Sequence, residues 1–469
     1  MNIFSLKYFG IFFLIISFFS FFNIIYSYYF NLLNNLSNYI FTFSITLIIG
    51  LFLILFKKYK YEKINLFERI LIVLIGYLIL PVAISLPYYF NIDSLGLINC
   101  YFEAISGFTS TGFTIFNNID QLDQTLILWR SSSQWIGGLY FLFSILLLID
   151  LFDDNLKRSL TNYISLNSSE IFKQVFKIII IYLLMTIIIF ILLKFVNLRS
   201  YDAYNYSLSI ISSGGFLPNN NFDINFGTDV SKIILSISML FSFFSLYFIF
   251  NLIFFKKKNI NYLSEDINIL IYLLIVISLS FIFFNYENNF LNILVSICSS
   301  VSNIGISFEK IPTNLTFIFL LLVMLGGSFF STSSGIRVIK VITLIKFSIN
   351  NLLSHTKPNQ IYSNKLSLNK VSANISDINK YFFAIIIFVI SLFSISFLLT
   401  ISYLDFESAF KLGILTIMNT VNSEMYGLGN LDFYNFNLFS KISLIIFMII
   451  GRIELLSIII LLKKFLFKN

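Results

Sequence analysis

Charge is scarce in this chain: Asp, Glu, Lys and Arg together make up 12% of 469 residues, against 58% hydrophobic residues. The mean hydropathy is +0.88. A soluble protein of this length could not cover its surface with so few charges, so a string of ordinary soluble domains is excluded. Proline is scarce as well, with 5 residues, which excludes a collagen-like or proline-rich disordered chain. The two cysteines, Cys100 and Cys298, lie too far apart for a metal-site or redox spacing, and two cannot build a disulfide framework. There is one histidine, His355, and 2 Trp. Phenylalanine is abundant at 59, alongside Ile, Asn and Lys, which reads as the codon bias of an AT-rich genome rather than as function. What these absences leave is an all-α polytopic membrane protein.

Roughly 20 apolar residues are needed to cross about 30 Å of hydrocarbon. Stretches of that kind run over 8–30, 39–56, 67–90, 126–151, 172–196, 230–255, 267–284, 315–345, 381–402 and 438–465, which makes ten expected transmembrane helices. The first lacks a small-residue cleavage site and reads as a helix rather than a signal peptide. With the N terminus inside, Lys57, Lys58, Lys60, Lys63, Lys157, Arg158, Lys256 to Lys258, Lys463, Lys464 and Lys468 all fall on the cytoplasmic side. That asymmetry argues for an even number of spans with both termini cytoplasmic. It also accounts for the net charge of +8 without a nucleic-acid partner. Many carboxylates fall on the opposite side, among them Asp93, Glu103, Asp120, Asp123, Asp202 and Glu407, either as a cation-attracting face or as solvated loop residues.

The segments on that outer side repeat. After the third span comes Phe102-Glu103-Ala104-Ile105-Ser106-Gly107-Phe108-Thr109-Ser110-Thr111-Gly112-Phe113; after the fifth, Tyr206 to Phe216 through Ser212-Ser213-Gly214-Gly215; after the seventh, Ile297 to Ile306 through Ser302-Asn303-Ile304-Gly305; after the ninth, Thr416 to Ser423 through Thr420-Val421-Asn422. Each is a half-length helix candidate closing in small polar residues, too short to span, so it must enter the membrane and return. Irregular backbone at that depth is tolerated only when buried in protein or lining water. Small residues let carbonyl oxygens replace a cation's hydration shell. One such cluster alone would read as a surface turn, but four at matching places between paired spans read as an ion pathway.

Two further features sit inside spans. The run Gly326-Gly327-Ser328-Phe329-Phe330-Ser331-Thr332-Ser333-Ser334-Gly335 interrupts the eighth, either as a helix break lining a cavity or as a small-residue helix contact. Arg452 lies mid-way along the tenth, with Glu454 two residues on. A charge there costs at least about 2.5 kcal/mol, so it should face protein or water.

These residues resemble the Trk/Ktr/HKT superfamily of potassium transporters, and within it the bacterial Trk-type membrane subunit. The motifs are Leu86-Pro87 with the Phe102–Gly112 run, Trp129-Arg130, Gln134-Trp135-Ile136-Gly137-Gly138, the Gly326–Gly335 break continuing into Ile336-Arg337-Val338, and Gly451-Arg452-Ile453-Glu454-Leu455-Leu456, in family order over nearly the whole chain. The resemblance implies four helix–pore loop–helix repeats around one path: two N-terminal helices over 1–64, then repeats over 65–156, 157–260, 261–350 and 378–469, with a cytoplasmic loop over 351–377. It implies a potassium filter from Ser110, Thr111, Gly112, Ser213, Gly214, Gly215, Asn303, Ile304, Gly305, Thr420, Val421 and Asn422. In the family a glycine stands at the key position of each loop; Gly112, Gly215 and Gly305 agree, and Asn422 departs, which opens a sodium-permeable or sodium-coupled alternative. Gating would fall to Gly326, Gly327, Ser328, Ser331, Thr332 and Gly335, with Arg452 as an electrostatic barrier in the path. The implied setting is the cytoplasmic (inner) membrane, as a homodimer carrying a cytosolic nucleotide-binding regulatory ring. The polar stretch His355–Val371 would be either the docking hairpin for that ring or a solvated linker. Potassium is the cargo, no organic cofactor is implied, and the spans offer none of the clustered His, Cys or carboxylates that a membrane-embedded enzyme needs.

Overall fold

The computed structural model describes residues 3–32, 35–55, 66–92, 94–148, 171–220, 222–254, 264–284, 290–308, 313–356 and 375–453. Among them the chain is almost entirely helical, and the only sheet is a pair of two-residue strands, Leu325–Gly326 beside Ile336–Arg337. A helix stands at each of the ten expected spans. Five are long and apolar enough to cross a membrane unbroken: Lys7–Tyr29, Leu36–Leu55, Leu66–Asn91, Gln174–Lys194 and Ile378–Ile401.

Helices Ile3–Tyr29 and Leu36–Leu55 form an N-terminal pair. The rest repeats one plan four times: a long helix, a short helix, a loop, and a returning helix. The long helices are Leu66–Asn91, Ile171–Lys194, Ser264–Phe284 and Ile375–Ile401. The short ones are Leu97–Phe108, Ser200–Ile211, Phe290–Val301 and Phe406–Ile417, each 12 residues. Twelve residues rise about 18 Å, too little to cross the hydrocarbon. These are the pore helices, and all four run into the buried centre, where their last turns lie fully inside the protein.

Two returning helices are broken, where the sequence led us to expect one break. In the third repeat Thr316–Met324 stops at the Gly326–Gly335 run and resumes as Val338–Thr356. In the second repeat the expected span 230–255 is divided into Asp229–Phe243 and Leu246–Ile253. The reason is packing: the third-repeat loop inserts into the gap, with the Ser328 amide donating to Phe243 O (3.0 Å), Ser333 N to Ser242 O (3.2 Å) and Leu246 N to Phe330 O (2.9 Å). Phe330 stacks on Tyr247 at 5.2 Å. Backbone groups freed by one break are thus paired by the other.

The core is one large cluster rich in Phe and Tyr, with a small separate cluster of Leu344, Ile378 and Tyr381. Large apolar side chains such as Phe18, Ile48, Leu55, Phe176, Ile282 and Phe397 stay exposed along the long helices. A water-soluble protein would hide such a surface, and here it faces lipid.

Candidate functional site: a four-segment pathway

Every pore helix ends the same way. The residue after the last turn has a left-handed backbone: Ser110 (φ 54°), Ser213 (φ 55°), Asn303 (φ 59°) and Asn419 (φ 48°). The next amide reaches back to the last turn: Thr111 to Ser106 O (2.9 Å), Gly214 to Ser209 O (2.8 Å), Ile304 to Ser299 O (3.0 Å) and Thr420 to Leu415 O (2.9 Å). This is the Schellman cap in quadruplicate. It turns the chain sharply and sends the following residues along the centre, while the negative ends of four helix dipoles point at one place.

The shared cap also fixes which residues are equivalent. Two positions beyond each left-handed residue stand Gly112, Gly215, Gly305 and Val421. By this cap register Val421 is the equivalent of the three glycines, one residue earlier than the Asn422 that the family resemblance indicated. A methyl group added to Gly112, Gly215 or Gly305 would meet Val421 side-chain atoms at 3.0, 2.5 and 2.8 Å, so all four positions converge on one level. Asn422 lies above it and donates from Nδ2 to Leu428 O (3.1 Å).

Polar side chains strap the segments together. Asn303 Nδ2 donates to Val323 O (2.9 Å) and to Thr420 Oγ1 (3.3 Å), joining the third and fourth segments. Asn419 Nδ2 donates to Thr111 Oγ1 (3.0 Å) and Met448 O (2.8 Å), joining the fourth to the first. The Gln134 amide donates to Ser209 Oγ (2.8 Å) and accepts from the Gly215 and Phe216 amides, both 3.2 Å. Gly137 and Gly138 let the helix Gln124–Leu147 run against the ends of the first two pore helices, because a Cβ at 137 would strike Phe108 O and one at 138 would lie 2.8 Å from Ser212 Cβ.

On one side of the glycine level lies a cavity of about 390 Å³, lined among others by Gly112, Gly215, Val421, Asn422 and Asp432. Glu103, one of the carboxylates read as a possible cation-attracting face, is not in it: it is fully buried and pairs with Arg130 at 2.9 Å while accepting from Ile115 N (2.9 Å) and Thr114 Oγ1 (3.1 Å). Arg130 lies over Phe216 at 4.1 Å, so the pair braces the loops leaving two segments. Asp202 is buried too, held by Asn219 Nδ2 at 3.2 Å. Asp123 caps a helix through Thr125 N (2.9 Å), Glu407 is paired with Lys411, Asp120 accepts from Asn220 N (3.2 Å), and Asp93 lies outside the described residues. Of those six, Glu103 and Asp202 are thus spent on structure, while Asp120 and Glu407 stay exposed.

On the other side sits Arg452, at 2% exposure. Its Nε donates to Thr109 O (2.5 Å), Nη1 to Thr332 O (2.7 Å) and Nη2 to Ser212 O (3.3 Å). One guanidinium thus gathers carbonyls from the first segment, the second segment and the broken-helix loop; Glu454 lies outside the described residues. Phe141, which sequence reasoning passed over, lies between two arginines, with Arg452 at 4.5 Å and Arg337 at 5.8 Å from its ring. Arg337 holds the loop through Ser328 O (2.8 Å), Ser331 Oγ (3.1 Å) and Ser333 O (3.0 Å). Thr332 Oγ1 donates to Ile211 O (2.8 Å), which ties the loop to the second pore helix. Gly326, Gly327 and Gly335 close the loop's neck: a Cβ at 326 would strike Ser334 O, one at 327 would strike Phe243 O, and Gly335 has φ +93°.

Asn419 also escaped sequence reasoning. Its signal was available: asparagine tolerates the left-handed region, and it sits one step before the run taken as filter. The second-repeat break had a fainter one, since Ser242-Phe243-Phe244-Ser245 repeats the Ser328-Phe329-Phe330-Ser331 of the other break.

Fold and site together define a polytopic membrane protein with four pore segments around a single central path. Comparison with known proteins agrees. No family model matches the chain. A protein of Methanocaldococcus jannaschii named as an uncharacterized cation transporter is 26% identical over 455 residues, covering 91% of this chain and 90% of its own. The Trk system potassium uptake protein TrkH of Salmonella typhimurium is 25% identical over 445 residues, covering 90% of each, and TrkG of Escherichia coli is 23% identical over 432. The crystal structure of the potassium transporter TrkH from Vibrio parahaemolyticus superposes with a TM-score of 0.81 at 21% identity, covering 98% of this chain and 99% of that one. The chain is a homologue of the Trk-type uptake proteins and has their fold.

Proposed function

We propose that the chain carries potassium into the cell through the four-segment path, passively or gated, with the cavity side outward and both termini cytoplasmic. The observation that carries this reading is the convergence of Gly112, Gly215, Gly305 and Val421 on one level above a buried arginine that holds three carbonyls. Backbone carbonyls delivered by helix ends are what a partly dehydrated monovalent cation needs. The names of the relatives supply the ion.

Gating belongs in this reading to the Gly326–Gly335 loop with Arg452: the loop shares Arg452 with two pore segments, so its withdrawal would remove one of three carbonyls and free the guanidinium to leave the path. A cytosolic nucleotide-binding regulatory ring, a homodimeric assembly and residence in the cytoplasmic membrane complete the proposal by resemblance. Of the polar stretch His355–Val371, read as docking hairpin or solvated linker, residues 357–371 lie outside the described residues. A sodium-permeable or sodium-coupled path is the alternative, favoured by one observation, the absence of a fourth glycine at Val421.

Rubidium flux into proteoliposomes of the purified chain, competed by potassium and by sodium, tests the reading. Competition by potassium alone is the expected result. Equal competition by sodium selects the alternative, and silence from both the wild type and an Arg452→Ala variant, with the cytosolic regulatory subunit also added, would remove the transport reading.

A further inference from the structure

Three of the four equivalent positions at the centre are glycine and the fourth is a β-branched apolar residue. We infer that Val421 is the throughput- and size-determining residue of this path: its side chain is an apolar constriction at the level of the three glycines. The inference rests on the proposed transport reading.

The backbone explains how valine is tolerated. Gly112 and Gly305 have φ of +83° and +84°, a region closed to a β-branched residue, whereas Gly215 and Val421 are not among the positive-φ residues. Position 421 thus needs no left-handed backbone, and the sign of φ does not forbid a β-branched residue there.

Space explains what it does. Hypothetical methyls on Gly112, Gly215 and Gly305 would all contact Val421: at 3.0 Å from Cβ, 2.5 Å from Cβ and 2.8 Å from Cγ1, respectively. A side chain within reach of all three other segments, including the one opposite, lies across the axis they surround and is not tucked behind its own loop. Val421 is half-buried and lines the same cavity as Gly112 and Gly215, so it stands at the floor of the vestibule. Two methyls there offer no oxygen to a cation that must shed water to pass. An apolar constriction of this kind limits conduction by dewetting. The same contact makes Gly215 obligatory, since any Cβ there collides with Val421.

The test uses the purified full chain in proteoliposomes, as wild type, Val421→Gly and Val421→Ala, each also in an Arg452→Ala background so that the inner barrier does not mask the outer one. The expected result is a rise in rubidium flux of about tenfold for Val421→Gly, a smaller rise for Val421→Ala, and a larger gain for caesium than for rubidium. Equal fluxes with unchanged caesium-to-rubidium ratio, in both backgrounds, would overturn the role of Val421 and leave the transport reading standing. Silence in every variant, with each eluting as a monodisperse species and the cytosolic regulatory subunit added, would overturn both. Melting in KCl against choline chloride gives an independent readout of occupancy. Val421→Gly should gain more potassium-dependent stabilisation than wild type, and equal gains would count against the inference.

Discussion

Arg452 meets three carbonyl oxygens with three different nitrogens, and those carbonyls belong to elements far apart in sequence: Thr109, Ser212 and Thr332. A guanidinium is planar and always charged, so it can satisfy all three at once, which a compact ammonium cannot. It stands where the ends of two pore helices already favour positive charge, so it occupies ground a passing cation would use. Two unit charges about 4 Å apart at an effective dielectric near 20 repel by about 4 kcal/mol, so in the proposed reading Arg452 would act as a barrier to a cation in the path. Arg452→Ala should therefore raise rubidium flux by an order of magnitude or more, with Arg452→Lys between it and wild type. Unchanged flux at equal reconstituted protein would place the side chain outside the path. The position of this arginine was legible because a charge in an apolar span stands out. Its three partners were not, since contacts across more than a hundred residues leave no local trace.

At the scale of elements, the pore helices were the easiest part to read and the returning helices the hardest. The short helices announce themselves by length and by the small polar residues that end them. Their register is subtler. The family resemblance put Asn422 opposite the glycines, whereas the Schellman cap at Asn419 moves the equivalence to Val421, because backbone conformation rather than residue type sets the phase. The break in the third repeat was visible in its glycines. The break after Phe243 left only the fainter Ser-Phe-Phe-Ser signal, because it contains no glycine and its freed backbone groups are paired by the distant Ser328–Ser333 stretch. That mutual dependence makes the loop's order a property of Arg337, whose Nη1 holds Ser328 O, Ser331 Oγ and Ser333 O. Replacing a charged donor in buried bonds forfeits about 1.5–3 kcal/mol each. Arg337→Gln should speed amide exchange across 327–335 by about tenfold or more while leaving 97–108 protected. Uniform protection in the variant would show that the loop is held without this arginine.

Across the whole molecule, the four segments behave as one ring because neighbours share hydrogen bonds. Asn303 binds the fourth segment, Asn419 binds the first, and Gln134 fixes the second from a helix of the first repeat. The apolar envelope and the count of spans follow directly from composition, since burying or lipid-facing nearly every apolar residue leaves few other folds. The cross-strapping does not, because an asparagine in a Ser/Thr-rich loop reads as a turn residue until its partners are in place. Selectivity between cations of similar size depends on how rigidly such a ring holds its carbonyls, whereas flux depends on its barriers. Loosening one strap should therefore affect discrimination before it affects rate. Asn419→Ala removes the bonds to Thr111 Oγ1 and Met448 O, each worth about 0.5–1.5 kcal/mol, and leaves Met448 O buried without that donor. Sodium should then compete several-fold better for rubidium uptake, at a total rubidium flux within about twofold of wild type. If flux falls and the sodium competition stays the same, the strap serves stability alone, and the rigidity of the ring must come from the helix caps.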